Sequence, residues 1–279
     1  MPHDLHPADS SLDAALARRY GTALSLPVET NDTIAGLLEH RSVRGYLPDA
    51  LPEGTVELLV AAAQSAATSS NMQLWSVLAV EDKATLAKMA AMANNQKHIE
   101  IAPLNLLWLV DLSRAERMAE TIGTEFPTLP YTETFMVAVI DAALAAQNAV
   151  VAAESLGLGT VYIGALRNQP EELAKLLGLP PHVMVAFGLC VGHPDPAQPS
   201  TVRPRLPQSV VLHRERYDTT HEAAGIADYE NRFRTMQQTV GLPPSGWIAR
   251  VIDRMGALKS MSGRDSMRSA LAALGFPLK

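Results

Sequence analysis

Between Phe135 and Ala153 the chain carries a single charged group, Asp141, while Ala, Val and Met cover nearly the whole helical circumference. The pattern predicts a helix from Thr132 to Leu156 that is central and buried on most faces. Gly157 and Gly159 end it and lead straight into TVYIG at residues 160–164, a run of strand composition. A chain of 279 residues is long enough to bury a full-sized core around such an element.

Capping and periodicity place the remaining elements. Residues 1–30 read as an N-terminal extension, with Pro2, Pro7 and Pro27 around one short amphipathic piece from Ser11 to Tyr20. The segment 31–41, NDTIAGLLEHR, opens with capping candidates and carries Ile34, Leu37 and Leu38 on one face; its helix is expected to stop near Gly45. Pro52 and Glu53 start a second helix, with Val56, Leu59, Val60 and Ala63 at helical spacing. WSVLAVE at 75–81 and LNLLWLVDL at 104–112 have strand length, with a helix ending in asparagines expected between them at 82–96. A short helix at 170–178 precedes a further strand, VMVAFGLCV at 183–191. Five prolines make 192–207 an extended loop, and the last sixty residues alternate weak helical segments with breaks at Gly241, Pro243, Pro244 and Gly246. The expected division is an extension (1–30), a core (31–217) and a C-terminal helical excursion packed on the core (218–279).

Charge and cysteine content narrow the function classes. A net charge of −6 leaves no global basic field for nucleic acid or an anionic membrane. The longest apolar stretches are interrupted by polar residues short of membrane length, and residues 1–16 lack the pattern of a secretory signal. The one cysteine, Cys190, sits in an apolar run as a small buried hydrophobe, which excludes an internal disulfide and a multi-thiolate metal site. A cytoplasmic protein with neither nucleic-acid nor membrane partners, and with no metal, is expected.

Two arginine pairs carry the chemical signal: HRSVR at 40–44, and RPRLP at 203–207 in the proline-rich loop. Guanidinium forks match phosphate oxygens and stay charged when half buried. If both segments converge, a phosphorylated cofactor such as FMN is the simplest ligand. Taken singly, each arginine also suits a solvated helix end. TSSNMQLW at 68–75 and NNQKHI at 94–99 add hydroxyls and amides that read equally as polar turns or as a rim for a ribityl chain and ring edge. The glycines at 157 and 159 follow a helix and precede a strand, the reverse of a dinucleotide-binding fingerprint. No nucleophilic triad and no carboxylate cluster stands out.

Taken together, HRSVR, ATSSNMQLW, NNQKH, AAQNAVVAAESLGLGTVYIGALRN, AFGLCVG and RPRLPQSVVLHRERY resemble the FMN-dependent nitroreductase and flavin reductase family, in particular its oxygen-insensitive NAD(P)H branch. The resemblance runs from about Thr33 to Tyr217. It implies an α+β, nitroreductase-like fold: a mixed, mostly antiparallel sheet surrounded by helices, in an interlocked homodimer with FMN sites at the interface. It implies that His40, Arg41, Ser42 and Arg44 line the flavin, Arg41 and Ser42 at the phosphate and Arg44 at the N1/O2 edge. Arg203 and Arg205 would complete the phosphate clamp. Ser69, Ser70, Asn71 and Gln73 would reach the flavin from the partner subunit, Gln96 would meet the pyrimidine edge, and Ile163, Gly164 and Ala165 would lie along the ring.

The activity implied is transfer of hydride from NADPH or NADH to FMN and on to nitroaromatics, quinones or free flavin by a ping-pong mechanism, with no catalytic side chain. An FMN carrier or sensor, or a flavoenzyme of the same fold acting on one metabolite, would need the same pocket. Two departures are visible. Ala165 stands where relatives have a second glycine, and prolines and Trp247 replace most of the charge in a segment that is basic in the NADPH-preferring branch, with Arg250 and Arg254 just beyond.

Overall fold

The structure, a computed structural model, describes residues 12–21 and 30–279. Contacts between Cα atoms divide the chain into two compact units. One comprises the described residues up to Arg41 together with Thr201–Ser260; the other comprises Ser42–Ser200 with Met261–Lys279.

The second unit is built on four strands: β1 (Trp75–Val80), β2 (Leu104–Asp111), β3 (Gly159–Ile163) and β4 (Val183–Gly192). Their order is β1-β2-β4-β3, and every ladder is antiparallel. The parallel component of the expected mixed sheet is one isolated bridge, Ser42 to Thr160, where the Val43 N–H donates to the Thr160 carbonyl at 2.9 Å. All eight residues of β2 are buried, as a strand covered on both faces requires. Along it, Leu104, Leu106 and Trp108 face one hydrophobic cluster and Leu107 and Leu109 another, the period-2 alternation of a pleat. The register slips between Trp108 and Leu109, where Trp108 pairs with Phe187 and Leu109 with Val185. Ala186 is the extra residue of this bulge, and its carbonyl accepts a hydrogen bond from Arg167 Nη1.

The long helix spans Thr132–Ser155 and packs on β2 and on the Thr55–Gln64 helix. It is not buried on most faces. Ala138, Ala142, Ala145, Ala146, Ala149 and Ala153 form the buried stripe, whereas Met136, Ile140 (52% exposed) and Leu144 line an exposed one. The small residues seek the sheet and the large ones point away, a division that a uniformly apolar sequence hides. By length and composition this helix could also cross a membrane, contrary to the expectation that apolar stretches fall short of that length. Its alanine stripe and buried Asp141 instead serve the core described here.

Two helix limits also differ from expectation. The Asp32–Glu39 helix is capped by Asn31, whose side chain accepts from the Ile34 N–H at 3.0 Å, and it stops at His40 rather than near Gly45. Residues 42 and 43 are extended because they bond to Thr160. The next helix begins at Thr55, with Gly54 at φ 82° before it. In the first unit, Glu230 accepts from the Trp247 and Ile248 N–H groups at 2.7 and 2.9 Å. It thereby caps the Trp247–Met255 helix, and the Ile248 bond foremost holds its carboxyl below the usual range.

Gly159 shows how tightly residues 42–43 sit on the sheet, since a Cβ there would lie 2.7 Å from the Val43 Cβ. Gly159→Ala is therefore expected to lower stability by about 1–3 kcal/mol through overpacking. Urea denaturation checks this; an unchanged midpoint would show that Val43 moves aside freely.

Candidate functional site

The segments singled out from the sequence fall in both units, and each unit shows its own local geometry. In the sheet unit, Ser42 is half-buried and Arg44 exposed, on either side of buried Val43. Tyr46 fixes the segment from below by donating its hydroxyl to the Val43 carbonyl at 2.7 Å. The Arg44 charge acts on the groups around it. Burial first, and the Arg44 charge second, push His98 below its ordinary pKa. Burial pushes the Cys190 thiol well up, against the opposing pull of Arg44. The thiol is fully buried and donates to Asn105 Oδ1 at 3.1 Å, so it is an inert part of the core.

Thr68–Gln73 is held in an unusual conformation. Ser70, Asn71 and Gln73 lie at φ 48°, 55° and 52°, in the left-handed region where each non-glycine residue costs about 1 kcal/mol or more. Asp141 holds the segment there: its carboxylate accepts from Thr68 Oγ1 at 2.5 Å and from the Ser69 N–H at 3.1 Å. The Gln73 N–H in turn donates to Thr68 Oγ1 at 3.0 Å. Arg114 clamps the far end, donating to the Gln73 carbonyl at 2.9 Å, the Trp75 carbonyl at 3.2 Å and Ser76 Oγ at 2.8 Å. Ser69, Ser70, Asn71 and Gln73 are all exposed, and among the described residues none of their hydrogen bonds runs to Ser42, Arg44 or Ile163–Ala165.

Gln96 is the N-cap residue of the Lys97–Ile101 helix, capping through its carbonyl and not its side chain. Ile163 and Ala165 are buried. Gly164 has an ordinary φ of −79°. A Cβ there would meet the Arg167 guanidinium at 3.3 Å, a tight contact at the flexible end of a side chain.

In the other unit, Arg41, Arg203 and Arg205 are exposed and His40 is half-buried. Their backbone converges on Arg19. Its guanidinium donates to the carbonyls of Leu38 (2.8 Å), His40 (2.6 Å) and Arg203 (3.0 Å), and its own carbonyl accepts from the Arg205 N–H at 2.8 Å. The His40 and Arg203 segments are thus brought together in this unit, as the sequence suggested they might be. Arg205 Nη1 also bonds the Arg203 and Pro204 carbonyls, both at 3.2 Å, which sets the turn of the RPRLP loop.

Sequence reasoning missed two residues that position these segments. Asp141 had a visible signal, being the sole charge between Phe135 and Ala153. Arg19 had none, because its acceptors among the described residues are backbone carbonyls that no residue pattern announces.

An antiparallel sheet between helical layers, bearing arginines and hydroxyls on short extended segments, defines an α+β protein built to present hydrogen-bond donors. The chain belongs to the nitroreductase family, whose profile matches residues 37–193; that of the nitroreductase family C-terminal domain matches residues 203–279. It is 38% identical to an FMN reductase (NADPH) of Bacillus subtilis over 211 residues, 75% of this chain and 82% of that protein. An oxygen-insensitive NADPH nitroreductase of Salmonella typhimurium is 34% identical over 209 residues, 75% and 84% of the two chains. The structure of B. megaterium NfrA2 superposes with a TM-score of 0.84 at 35% identity, covering 90% of this chain and all of that one. The expected nitroreductase-like α+β fold is therefore correct.

Asp141→Ala would leave the Thr68 hydroxyl and the Ser69 N–H without their acceptor, and is expected to cost about 2 kcal/mol. Hydrogen exchange should then quicken over residues 68–73; exchange unchanged from the parent would remove Asp141 from its anchoring role. A second expectation concerns pH. Folding holds the His98 pKa below the ordinary 6.5, so the unfolded chain takes up a proton that the folded one refuses. Stability should fall as pH drops from that value toward the folded pKa, and His98→Gln should flatten the decline.

Proposed function

We propose that this protein is an FMN-dependent oxidoreductase that takes hydride from NAD(P)H and passes the electrons to a nitroaromatic, a quinone or a free flavin in alternating half-reactions. The observation carrying the reading is a set of donors of the kind FMN needs: exposed Arg41, Arg203 and Arg205 in one unit, and exposed Arg44 with half-buried Ser42 in the other. The relatives, an FMN reductase and a nitroreductase by name, support the same chemistry. FMN supplies a ring that accepts two electrons and later returns them.

The protein's own contribution is binding and electrostatics. Arg41, Ser42, Arg203 and Arg205 hold the phosphate through charge-assisted hydrogen bonds. Arg44 would bring a positive charge to the N1/O2 edge, which favours electron uptake there, and His40 would line the flavin. Gln96 would offer an amide to the pyrimidine edge, and Ile163, Gly164 and Ala165 would lie along the ring. No side chain acts as acid or base: the hydride leaves the nicotinamide directly, and the acceptor later takes its place.

Ser69, Ser70, Asn71 and Gln73 act across a homodimer in this reading, each copy's strained loop serving the flavin of the other. Their exposure supports it, and so does the apolar stripe of Met136, Ile140 and Leu144, a surface suited to a second copy. The cytoplasm, where NAD(P)H is maintained, is the proposed location.

The test is an anaerobic titration of the FMN-loaded protein with NADPH and, separately, NADH. Bleaching of the oxidised-flavin band at about 450 nm within the time of mixing is expected. Recovery on adding a nitroaromatic or a quinone completes the cycle. A yellow protein that neither nucleotide bleaches would overturn the reductase reading and leave a flavin carrier.

A further inference from the structure

We propose that Arg19, on a helix that precedes both family-matched segments, is a positioning residue that sets the protein's selectivity for the phosphorylated form of its flavin. The proposal rests on the reading of Arg41, Arg203 and Arg205 as phosphate ligands. The Leu12–Tyr20 helix lies before residue 37, where the family match begins, so nothing in that match accounts for it.

The geometry is that of a template. Arg19 is only 5% exposed, and its guanidinium fork is used on all three nitrogens. Nε meets the Leu38 carbonyl at 2.8 Å, Nη2 the His40 carbonyl at 2.6 Å, and Nη1 the Arg203 carbonyl at 3.0 Å. Two of these acceptors sit on the segment leading into Arg41; the third belongs to a proposed phosphate ligand itself. The Arg19 carbonyl then accepts from the Arg205 N–H at 2.8 Å, so side chain and backbone bracket Arg203-Pro204-Arg205 together. Arg18, the preceding residue, pairs with Glu39 and holds the helix to the same segment.

A rigid planar fork fixes the separation of its acceptors, whereas a lysine ammonium is a point charge on a flexible stem. Arg19 therefore determines how far the His40 backbone stands from the Arg203 backbone. That spacing decides whether guanidinium groups flanking both can close on one small anion. A displacement of about 1 Å is enough to lose most of a multi-point grip of this kind. The loop has other supports that would survive loss of Arg19: Tyr229 donates its hydroxyl to the Pro204 carbonyl at 3.3 Å, and Arg232 Nη1 donates to the Arg205 carbonyl at 3.4 Å. Removing Arg19 should consequently loosen the spacing without dismantling the unit.

The test compares FMN with riboflavin, which carries the same ring and ribityl chain without the phosphate. Full-length protein is freed of flavin, and binding of each compound is followed by flavin fluorescence for the parent, Arg19→Ala, Arg19→Lys and Arg205→Ala. The parent should prefer FMN. Arg19→Ala should lose FMN affinity by about tenfold or more, the scale of a lost charged hydrogen bond, while riboflavin binding stays unchanged. Arg19→Lys should fall between, and Arg205→Ala should show the same selective loss by direct removal of a ligand. Equal loss of both compounds in Arg19→Ala, or loss of neither, would overturn the proposal. If that variant is insoluble, the FMN-to-riboflavin ratio of Arg19→Lys decides, and a parental ratio rejects it. A preference abolished by Arg205→Ala and untouched in both Arg19 variants sinks the positioning role alone. A parent protein that binds neither compound, or binds both equally, overturns the phosphate-clamp reading beneath it.

Discussion

The close seating of one alanine-faced helix on a fully buried strand is the constraint from which the sheet unit follows. Ala138, Ala142, Ala145, Ala146, Ala149 and Ala153 have no exposed surface, and the cluster that the last four enter includes Leu104, Leu106 and Trp108 of β2 with Leu59 and Ala63 of the neighbouring helix. Alanine buries little area itself; its value is that it keeps the helix axis near the sheet. Leu104, Leu106 and Trp108 can then be fully enclosed, each worth about 2 kcal/mol or more of apolar burial. A larger side chain at any of these alanines would lift the helix and cost about 1–3 kcal/mol in overpacking. The large apolar residues of the same helix are thereby assigned to the opposite stripe, where Met136, Ile140 and Leu144 stand exposed.

That seating fixes the position of Asp141, one turn from Ala138 and Ala145 on the buried side. A carboxylate only 2% exposed has to be compensated by donors. The donors come from Thr68 and Ser69, so the register of the helix is transmitted directly to the loop before β1. The left-handed residues Ser70, Asn71 and Gln73 persist because this anchor and the Arg114 clamp determine the loop from both ends. Strain of this kind is kept where it presents side chains that packing alone would not present. The bulge in β4 works similarly, freeing the Ala186 carbonyl for Arg167, whose guanidinium then lies next to Gly164.

Most of the framework was legible in the sequence because it is written in local rules. Apolar runs of strand length gave β1, β2 and β4 to within a residue or so at each end, and Asn31 marked a helix start by capping chemistry. What the sequence concealed depends on partners distant along the chain. HRSVR looked like a helix end because the preceding residues are helical; its extended form is imposed by Thr160, far along the chain. The long helix looked buried all round because hydrophobicity does not distinguish alanine that packs from isoleucine that waits for a partner. Arg41, Arg44, Arg203 and Arg205 could be picked out as candidates by residue type, yet the residue that arranges the Arg203 and His40 backbones, Arg19, bonds only to carbonyls in the distances above.

The electrostatics of the two units share one logic. The chain as a whole is negative, at −6, so attraction for an anionic ligand must be local. In the proposed function it would be supplied by guanidinium groups, and a guanidinium keeps its charge throughout the physiological range. Near Arg44 the neighbouring His98 is pushed toward its neutral form by burial and by Arg44 itself. The Arg44 guanidinium thus carries positive charge where burial and that same charge work against a charged imidazole. A redox cofactor placed beside such a charge would experience a constant field, and its tendency to accept electrons would follow the position of Arg44. Positioning of backbone, through Thr160 and Tyr46 under Val43 and through Arg19 under His40 and Arg203, is then what the fold would contribute to the proposed chemistry.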